Sequence, residues 1–474
     1  MSTFGALNTA YRGLTAAQQG MNVAGQNIAN AATEGYTRQR VDQSSLAAPA
    51  RGLFSGGALQ AGQGVSVDAI ARLGSSFLDG SVRSAGAQAG YASARSSALQ
   101  GIEGILQEPG ENGISTALQG FWSAWQAAAN QPSEDGPKGL LLNAANSVTD
   151  KISSAYQALD SQWSRTRAQA SDNVDAVNAA AAQVASYNTT IRSTLAAGGS
   201  ANELIDARAK LTDKIAGLVG GTVREQSDGT VDVLVGGNAL VTGGSLRTLA
   251  LSGSPSDRMG STVQLVWQNP AGVATPDGGQ VAGALSVLAP IATPPSTPGS
   301  GGAIAEAAES FNKFATALAT AVNPIHATGV TGTGATGVGF FTIPGTGPAA
   351  LNIKGPANTA DIALKASTGG PLDTSIADKI SQLGTGSTSP DKAWSGIVTN
   401  IGVQSRGAQQ HESLTEAAQV SALTSRSSQA SVSLDEENVS LLTNQHAYQA
   451  AARVMTAVDE ALDVLINRTG LVGR

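Results

Sequence analysis

Near the start of the chain, Leu7, Leu14, Met21 and Ile28 recur at intervals of seven, and each is followed three residues later by alanine: Ala10, Ala17, Ala24 and Ala31. Apolar residues spaced by sevens keep one helix seam against a partner and wind the pair left-handed. Alanine at the second seam position permits close approach. The far end repeats the pattern with Leu434, Leu441, Tyr448, Met455 and Leu462, while Ala451, Val458 and Leu465 supply the offset positions. Its start is marked by "SLDE", Ser433 to Glu436, which matches a capping box. A single amphipathic helix could pack on any ordinary core. Two matching heptad helices at opposite ends of one chain predict that the ends pair. Gln18, Gln19, Asn22, Gln26 and Asn27 also stand where a solvated coiled coil would carry Glu and Lys. Uncharged faces outside the seam predict cover by other protein surfaces, and so assembly through the chain ends.

Composition agrees. Charged residues are 13% of the chain, against roughly 25% in ordinary soluble proteins, so small and polar uncharged residues must build much of the surface. Such a surface is weakly defended against self-association. A net charge of −7, a pI near 5.1 and the absence of any Lys/Arg run argue against a nucleic-acid partner. Without cysteine, disulfides, thiol catalysis and Cys-ligated zinc are excluded. The N-terminus lacks a secretory signal pattern. The most apolar stretch, "VAGALSVLAPIA", is shorter than the ~20 residues a membrane span needs, so no membrane partner is expected.

At 474 residues the chain is too long for one core. Residues 59 to 84 start as a Gly-punctuated alternation, Val65, Val67, Ile70, and continue helix-like through Phe77 and Leu78. Residues about 91 to 106, 114 to 130, 137 to 196 and 201 to 217 read as helix. Val223, Val231, Val233 and Val235 alternate about a "SDG" turn, which marks residues 219–283 as a small β module. The Pro/Gly/Ser connector "PIATPPSTPGSGG" precedes a helix with Ile304, Phe311, Phe314, Leu318 and Val322 on one face, expected to stop before Pro324. Ser389-Pro390 opens another helix by N-cap and N1 preference, and a long Ala/Gln/Ser helix from about 405 leads to the C-terminal heptads. The expected fold is mainly α with an inserted small β module: paired N- and C-terminal heptad helices forming a coiled coil, plus a long-helix body, multidomain. Its parts are a terminal helical assembly domain of 1–45 with 432–474, a long-helix body of 46–218 with 284–330 and 391–431, the β-rich module 219–283, and a Gly/Thr-rich exposed region 331–390.

No catalytic, cofactor or metal constellation emerges. His326, His411 and His446 share no ligand spacing, and no HExxH, GxSxG or Walker A motif occurs. "GTGATG" at 332 to 337 matches GxGxxG, but neither a strand before it nor a helix after it is expected, so it reads as a flexible turn. The acidic group Asp435 to Glu437 is accounted for by the helix macrodipole. The protein reads as structural, with no enzyme activity and no cofactor.

"NIANAATEGYTRQRV", from Asn27, resembles the segment after the N-terminal helix in the axial family of flagellar rod, hook and hook-associated proteins. "SVSLDEENVSLLTNQHAYQAAARVMTAVDEALDVLI" is similar to the C-terminus of its hook-associated branch. "FNKFATALATAVNPIHATGVTGTGATGVGFF" fits that branch through Asn323, His326, Gly329, Gly334, Gly337, Phe340 and Phe341, and "LQAGQGVSVDAIARLGSSFLDGSVRS" fits as well. Thr331 departs from it, standing where the family usually has Asp. The resemblance implies a secreted structural subunit of the bacterial flagellum, exported unfolded by the flagellar type III system and placed at the hook–filament junction. The implied partners are the flagellar hook protein, a second hook–filament junction protein, further copies of this chain in a ring, and a cytosolic export chaperone at the C-terminal helix. The assembly interface is then expected to comprise Leu7, Leu14, Met21, Ile28, Leu434, Leu441, Tyr448, Met455 and Leu462. Asn27 and Asn30 are expected to satisfy backbone groups at the helix end, and Tyr36 and Arg38 to brace the next layer. Another axial subunit, hook or distal rod protein, and a secreted adhesin-like fibre remain as alternatives.

Overall fold

The computed structural model describes residues 3–47, 62–256, 258–291 and 301–464. Helix α1 (Thr3–Ala29) is followed by an antiparallel hairpin, β1 (Gln39–Ser45) and β2 (Val65–Arg72), paired from Gln39 opposite Arg72 to Ser45 opposite Val65. Four helices follow: α2 (Ser76–Leu106), α3 (Ile114–Asn130), α4 (Asp135–Ala196) and α5 (Asn202–Val219). A four-stranded antiparallel sheet comprises β3 (Thr222–Glu225), β4 (Val231–Val235), β5 (Asn238–Thr242) and β6 (Ser245–Leu246) in that order. A three-stranded sheet of β7 (Leu249–Leu251), β8 (Leu265–Gln268) and β9 (Ala271–Val273) completes the module. Then come α6 (Gly279–Leu288), α7 (Ala303–His326), β10 (Gly329–Thr331), α8 (Ala349–Asn352), β11 (Ala363–Ala366) and α9 (Ser375–Ser381). The chain ends in α10 (Pro390–Ala430) and α11 (Leu434–Asp463). The fold is mainly helical with small sheets, and α1 packs along α11.

The main core lies where α3, α4 and α7 meet α9 and the start of α10. Phe121, Trp125, Phe311, Phe314, Phe340 and Trp394 are fully buried there, in tilted and edge-on ring contacts. Burying each such ring is worth about 1.5–3 kcal/mol. Trp394 Nε1 donates to Glu108 Oε1 at 2.9 Å and Trp163 Nε1 to the Leu288 carbonyl at 3.1 Å, so their polar atoms stay satisfied. A second core joins the distal half of α4 (Val174, Val177, Val184) to α5, α6 and the buried face of β4, Val231, Val233 and Val235. The β module and the long helix therefore share apolar surface. Helix α10 runs antiparallel along α2, with Gly402 near Glu103 and Gly86 near Gln419.

Several local expectations change. The stretch from Phe77 to Leu106 is one unbroken helix, opened by Ser75, whose Oγ accepts from the Leu78 N–H. Residues 279 to 283, expected in the β module, open α6, whose apolar run is buried between α2, α4 and α5. Helix α7 does not stop before Pro324 but runs to His326. The proline removes one backbone bond in the last turn, and Asn323 anchors that turn by exchanging two 2.8 Å hydrogen bonds with the Phe341 backbone. Ser389 caps α10 with Pro390 inside its first turn, and the two helices expected at 390 and 405 are continuous. At the departure position Thr331, the hydroxyl accepts from the Ala335 N–H and bonds Thr333, closing the turn. Of the Pro/Gly/Ser connector, residues 292 to 300 lie outside the described residues, as does Leu465.

Candidate assembly interface: the terminal helix pair and its joint

Helices α1 and α11 are ~40 Å long by helix rise and antiparallel. Gly13 faces Ala451, Gly20 faces Asn444 and Asn27 bonds Glu437, so each step of seven up one helix is a step of seven down the other. Ala10, Ala16, Ala17, Val23 and Ala24 are buried, and Leu7, Leu14, Met21 and Ile28 are half-buried along the border of that small-residue stripe. Ala31 lies beyond the helix and is exposed. On α11, Leu441, Tyr448, Met455 and Leu462 are half-buried, whereas Leu434, in the first turn, is 51% exposed. A Cβ at position 20 would collide with the Asn444 side chain, so glycine there permits the close approach. Outside the seam α11 carries Val439, Leu442 and Val454, each more than half exposed, and α1 carries Tyr11 in the same state.

At the inner end of the pair, the sequence turns polar and buried. Asn27, 1% exposed, uses its whole side chain. Its Oδ1 accepts from Tyr36 OH at 2.9 Å and the Gln39 N–H at 3.0 Å; its Nδ2 donates to the Gln39 carbonyl at 2.9 Å and Glu437 Oε2 at 3.1 Å. Arg38 donates through Nε to Glu437 Oε1 at 2.7 Å and through a terminal nitrogen to Glu436 Oε2 at 2.6 Å. Glu437 is 3% exposed, and the pairing meets the requirement of a buried carboxylate for partnered donors. Burial, then the nearby Glu203, Asp206 and Glu437 carboxylates, push the Tyr36 hydroxyl up to about 12, which keeps it a donor. Asn30 stays local, donating to the Gln26 carbonyl at 3.0 Å and accepting from Thr33. Ser433 Oγ accepts from the Glu436 N–H, as a capping box requires, while the Glu436 carboxylate turns to Arg38.

The structure thus gathers Asn27, Tyr36 and Arg38 at one joint, strings Leu7 to Ile28 and Leu441 to Leu462 along one seam, and leaves Asn30 and Leu434 at its edge. Sequence reasoning missed Glu437, taken as a macrodipole residue. Stepping back by sevens from Ala451 and Asn444 lands on it. It also missed the Gly20–Asn444 notch, which no single-helix pattern displays.

The two chain ends form an antiparallel pair carried on a helical body, and the family matches identify that arrangement as that of the axial flagellar proteins. Two family profiles fall on that pair: the flagella basal body rod protein on residues 7–37 and the C-terminal region of the flagellar basal body rod FlgEFG proteins on residues 425–468. The helical domain of the flagellar hook-associated protein FlgK matches residues 99–341, more than half of the chain, and the chain belongs to that family. The family is structural, not enzymatic. Flagellar hook-associated protein 1 of Bacillus subtilis is 28% identical over the full length of both chains. That of Escherichia coli is 27% identical over 76% of this chain and 63% of its own length, and that of Salmonella typhimurium 28% over 71% and 59%. The chain thus matches under two thirds of the length of those two enterobacterial relatives. The flagellar hook junction protein FlgK from Burkholderia pseudomallei shares the fold, with a TM-score of 0.60 over 73% of this chain and 99% of that one, at 15% identity.

Proposed function

We propose that this chain is the extracellular subunit that joins hook to filament, and that its terminal pair is the assembly domain. The observation that carries this reading is the pair itself: two half-covered seams made of both chain ends, with Val439, Leu442 and Val454 left in solvent on α11. Apolar rows of that kind gain by further helix packing, which a ring of identical subunits supplies. The residues 1–45 and 432–474 then form the inner part, α2 to α5, α7, α9 and α10 the body, and the β module the outer face. The 331–390 region, expected to be exposed, belongs to the body, because Phe340, Phe341, Ile353, Ile376 and Ile380 are buried in its core. The neighbours are the hook protein below, the second junction protein above, and other copies around the ring. The chain is exported unfolded through the flagellar type III system, with a cytosolic chaperone held at the α11 sequence.

The test is Leu441→Asp beside Leu14→Asp. An unpaired carboxylate in the seam costs several kcal/mol at each repeated contact (~2 or more by transfer). Cells carrying either variant are expected to make hooks and release filament subunits into the medium. Because Leu441 also lies on the chaperone-facing helix, the variant protein must be recovered outside the cell before the result counts. Normal filaments on cells that secrete only Leu441→Asp protein would sink the proposal.

A further inference from the structure

Two segments cross between the terminal pair with its hairpin and the body: Leu73 to Ser75, between β2 and α2, and Ser431 to Ser433, between α10 and α11; the exit turn after α1, ending at Arg38, stays on the side of the pair and lies against both. They meet at Arg38, whose carbonyl accepts from the Leu73 N–H at 2.9 Å and whose N–H donates to the Ala430 carbonyl at 3.0 Å. The β1–β2 hairpin packs on α1, so pair and hairpin form one arm. Neither apolar core contains a residue of this arm. What ties arm to body is a row of polar groups at the start of α5. Asp206, 5% exposed, accepts from the Thr37 N–H and hydroxyl at 2.9 Å each and from Arg72 Nε at 2.5 Å. Glu203 accepts from Gln39 Nε2 at 3.0 Å, and Asn202 Nδ2 donates to the Ile70 carbonyl at 2.9 Å.

The body side of the same row carries ion pairs of its own. Arg426 of α10 pairs with Asp213 of α5 at 2.6 Å and Asp79 of α2 at 3.5 Å, which fixes the end of α10; Asp79 also stands 3.8 Å from Arg72 of β2, so among the described residues Arg72 is the arm's one link to this second set. Between the two sets lies a cleft of ≈ 660 Å³ bounded by both crossing segments, α2, α5 and α10. Gly35 turns the exit segment with φ +71, and Lys210 lies where its side chain would be.

From this arrangement we infer that the joint is a polar latch: the arm swings about the Arg38–Ala430 backbone contact, and Asp206 of α5 is the catch that sets its angle. Fully satisfied hydrogen bonds give one well-defined setting. Among the described residues neither apolar core includes a residue of the arm, so release exposes neither, and the neighbouring cleft leaves the crossing segments room to move. One chain can thereby hold its arm in one direction while its body meets surroundings at another angle.

The absence of cysteine makes the test direct, since two introduced cysteines carry the only spin labels. The exposed positions Asn22 in the arm and Ala168 in the body report the angle, and the pair Asn22 and Thr456 reports the arm alone. In the wild-type background both pairs should give a single narrow distance peak in pulsed dipolar measurements. Asp206→Asn keeps the shape of the catch but faces the Thr37 and Arg72 donors with a donor of its own. It should abolish the narrow Asn22–Ala168 peak, leave the Asn22–Thr456 peak intact and leave tryptophan-monitored melting of the body unchanged. Arg72→Gln should do the same to a smaller extent. An unchanged Asn22–Ala168 peak in Asp206→Asn would overturn the latch. So would loss of the Asn22–Thr456 peak, in either background, because there would then be no rigid arm to set.

Discussion

In the body, Phe121, Trp125, Phe311 and Trp394 are fully buried and meet ring to ring; among the described residues of the arm, the buried apolar side chains are Ala10, Ala16, Ala17, Val23 and Ala24, and the residues at sevens are at best half-covered. Both regions are long amphipathic helices. The difference lies in how much area each removes from water within a single chain. At about 25 cal/mol per Å² of apolar area, a methyl-sized stripe returns far less than a layer of aromatic rings. An isolated pair of helices must still offset its ordering entropy. The body is therefore expected to hold itself together, and the arm to gain its full stability only among neighbours. All five tryptophans lie outside the arm, so tryptophan fluorescence follows the body alone, which gives the comparison a built-in reporter.

The largest expected effect falls on the body. Trp394→Ala removes a fully buried ring from between Phe311 and Phe314 and deprives Glu108 of one of its two donors, the other being the Ser115 N–H. Urea unfolding followed through the remaining tryptophans should show a loss of about 3–5 kcal/mol. A loss under about 1 kcal/mol would place the core elsewhere.

His326 comes next. It is 1% exposed, with Nδ1 donating to the Val338 carbonyl at 2.7 Å and Nε2 accepting from the Ala363 N–H at 2.9 Å. Burial lowers its pKa in the folded state. The neutral ring is the one that fits, so its contribution is complete above the unfolded value of ~6.5 and declines as pH falls below that value toward the lower folded pKa. His326→Ala should cost about 2 kcal/mol at neutral pH, and the gap to the wild type should narrow in acid. A constant gap would show that ring packing alone matters.

The smallest effect on the body should come from the arm. Leu14→Asp breaks the half-buried border of the seam, yet the tryptophan-monitored transition should move by no more than about 0.5 kcal/mol, because no shared core couples the sites. A larger shift would mean that the arm helps hold the body.

What could be read in advance followed the same division. A seven-residue repeat is local and regular, so the seam was legible from Leu7 to Ile28 and from Leu441 to Leu462. Ser389-Pro390 named a helix start for a similar reason. Glu437 was not legible, since three acids in a first helical turn already have a sufficient local cause. Only the tertiary partners Asn27 and Arg38 single it out. Nor were Asp206 and Arg72: they lie 134 residues apart in the chain and meet only after folding. Residues 279 to 283 were assigned to the β module because a short apolar run has no period of its own, and burial among α2, α4 and α5 decided for helix. The helix stop expected before Pro324 was overridden by Asn323 and His326, whose side chains grip the following loop.

Native-state amide exchange on the isolated full-length chain tests the central contrast most directly. Amides of α3 and α7 should exchange only through global unfolding. Those of α1 and α11 should exchange through openings several kcal/mol cheaper, on the order of 1–3 against a global value near 5–15, and should slow markedly once the chain is in the assembled flagellum. Equal protection of α1, α11, α3 and α7 in the dilute single chain would contradict the account, since the arm would then need no neighbours to be stable.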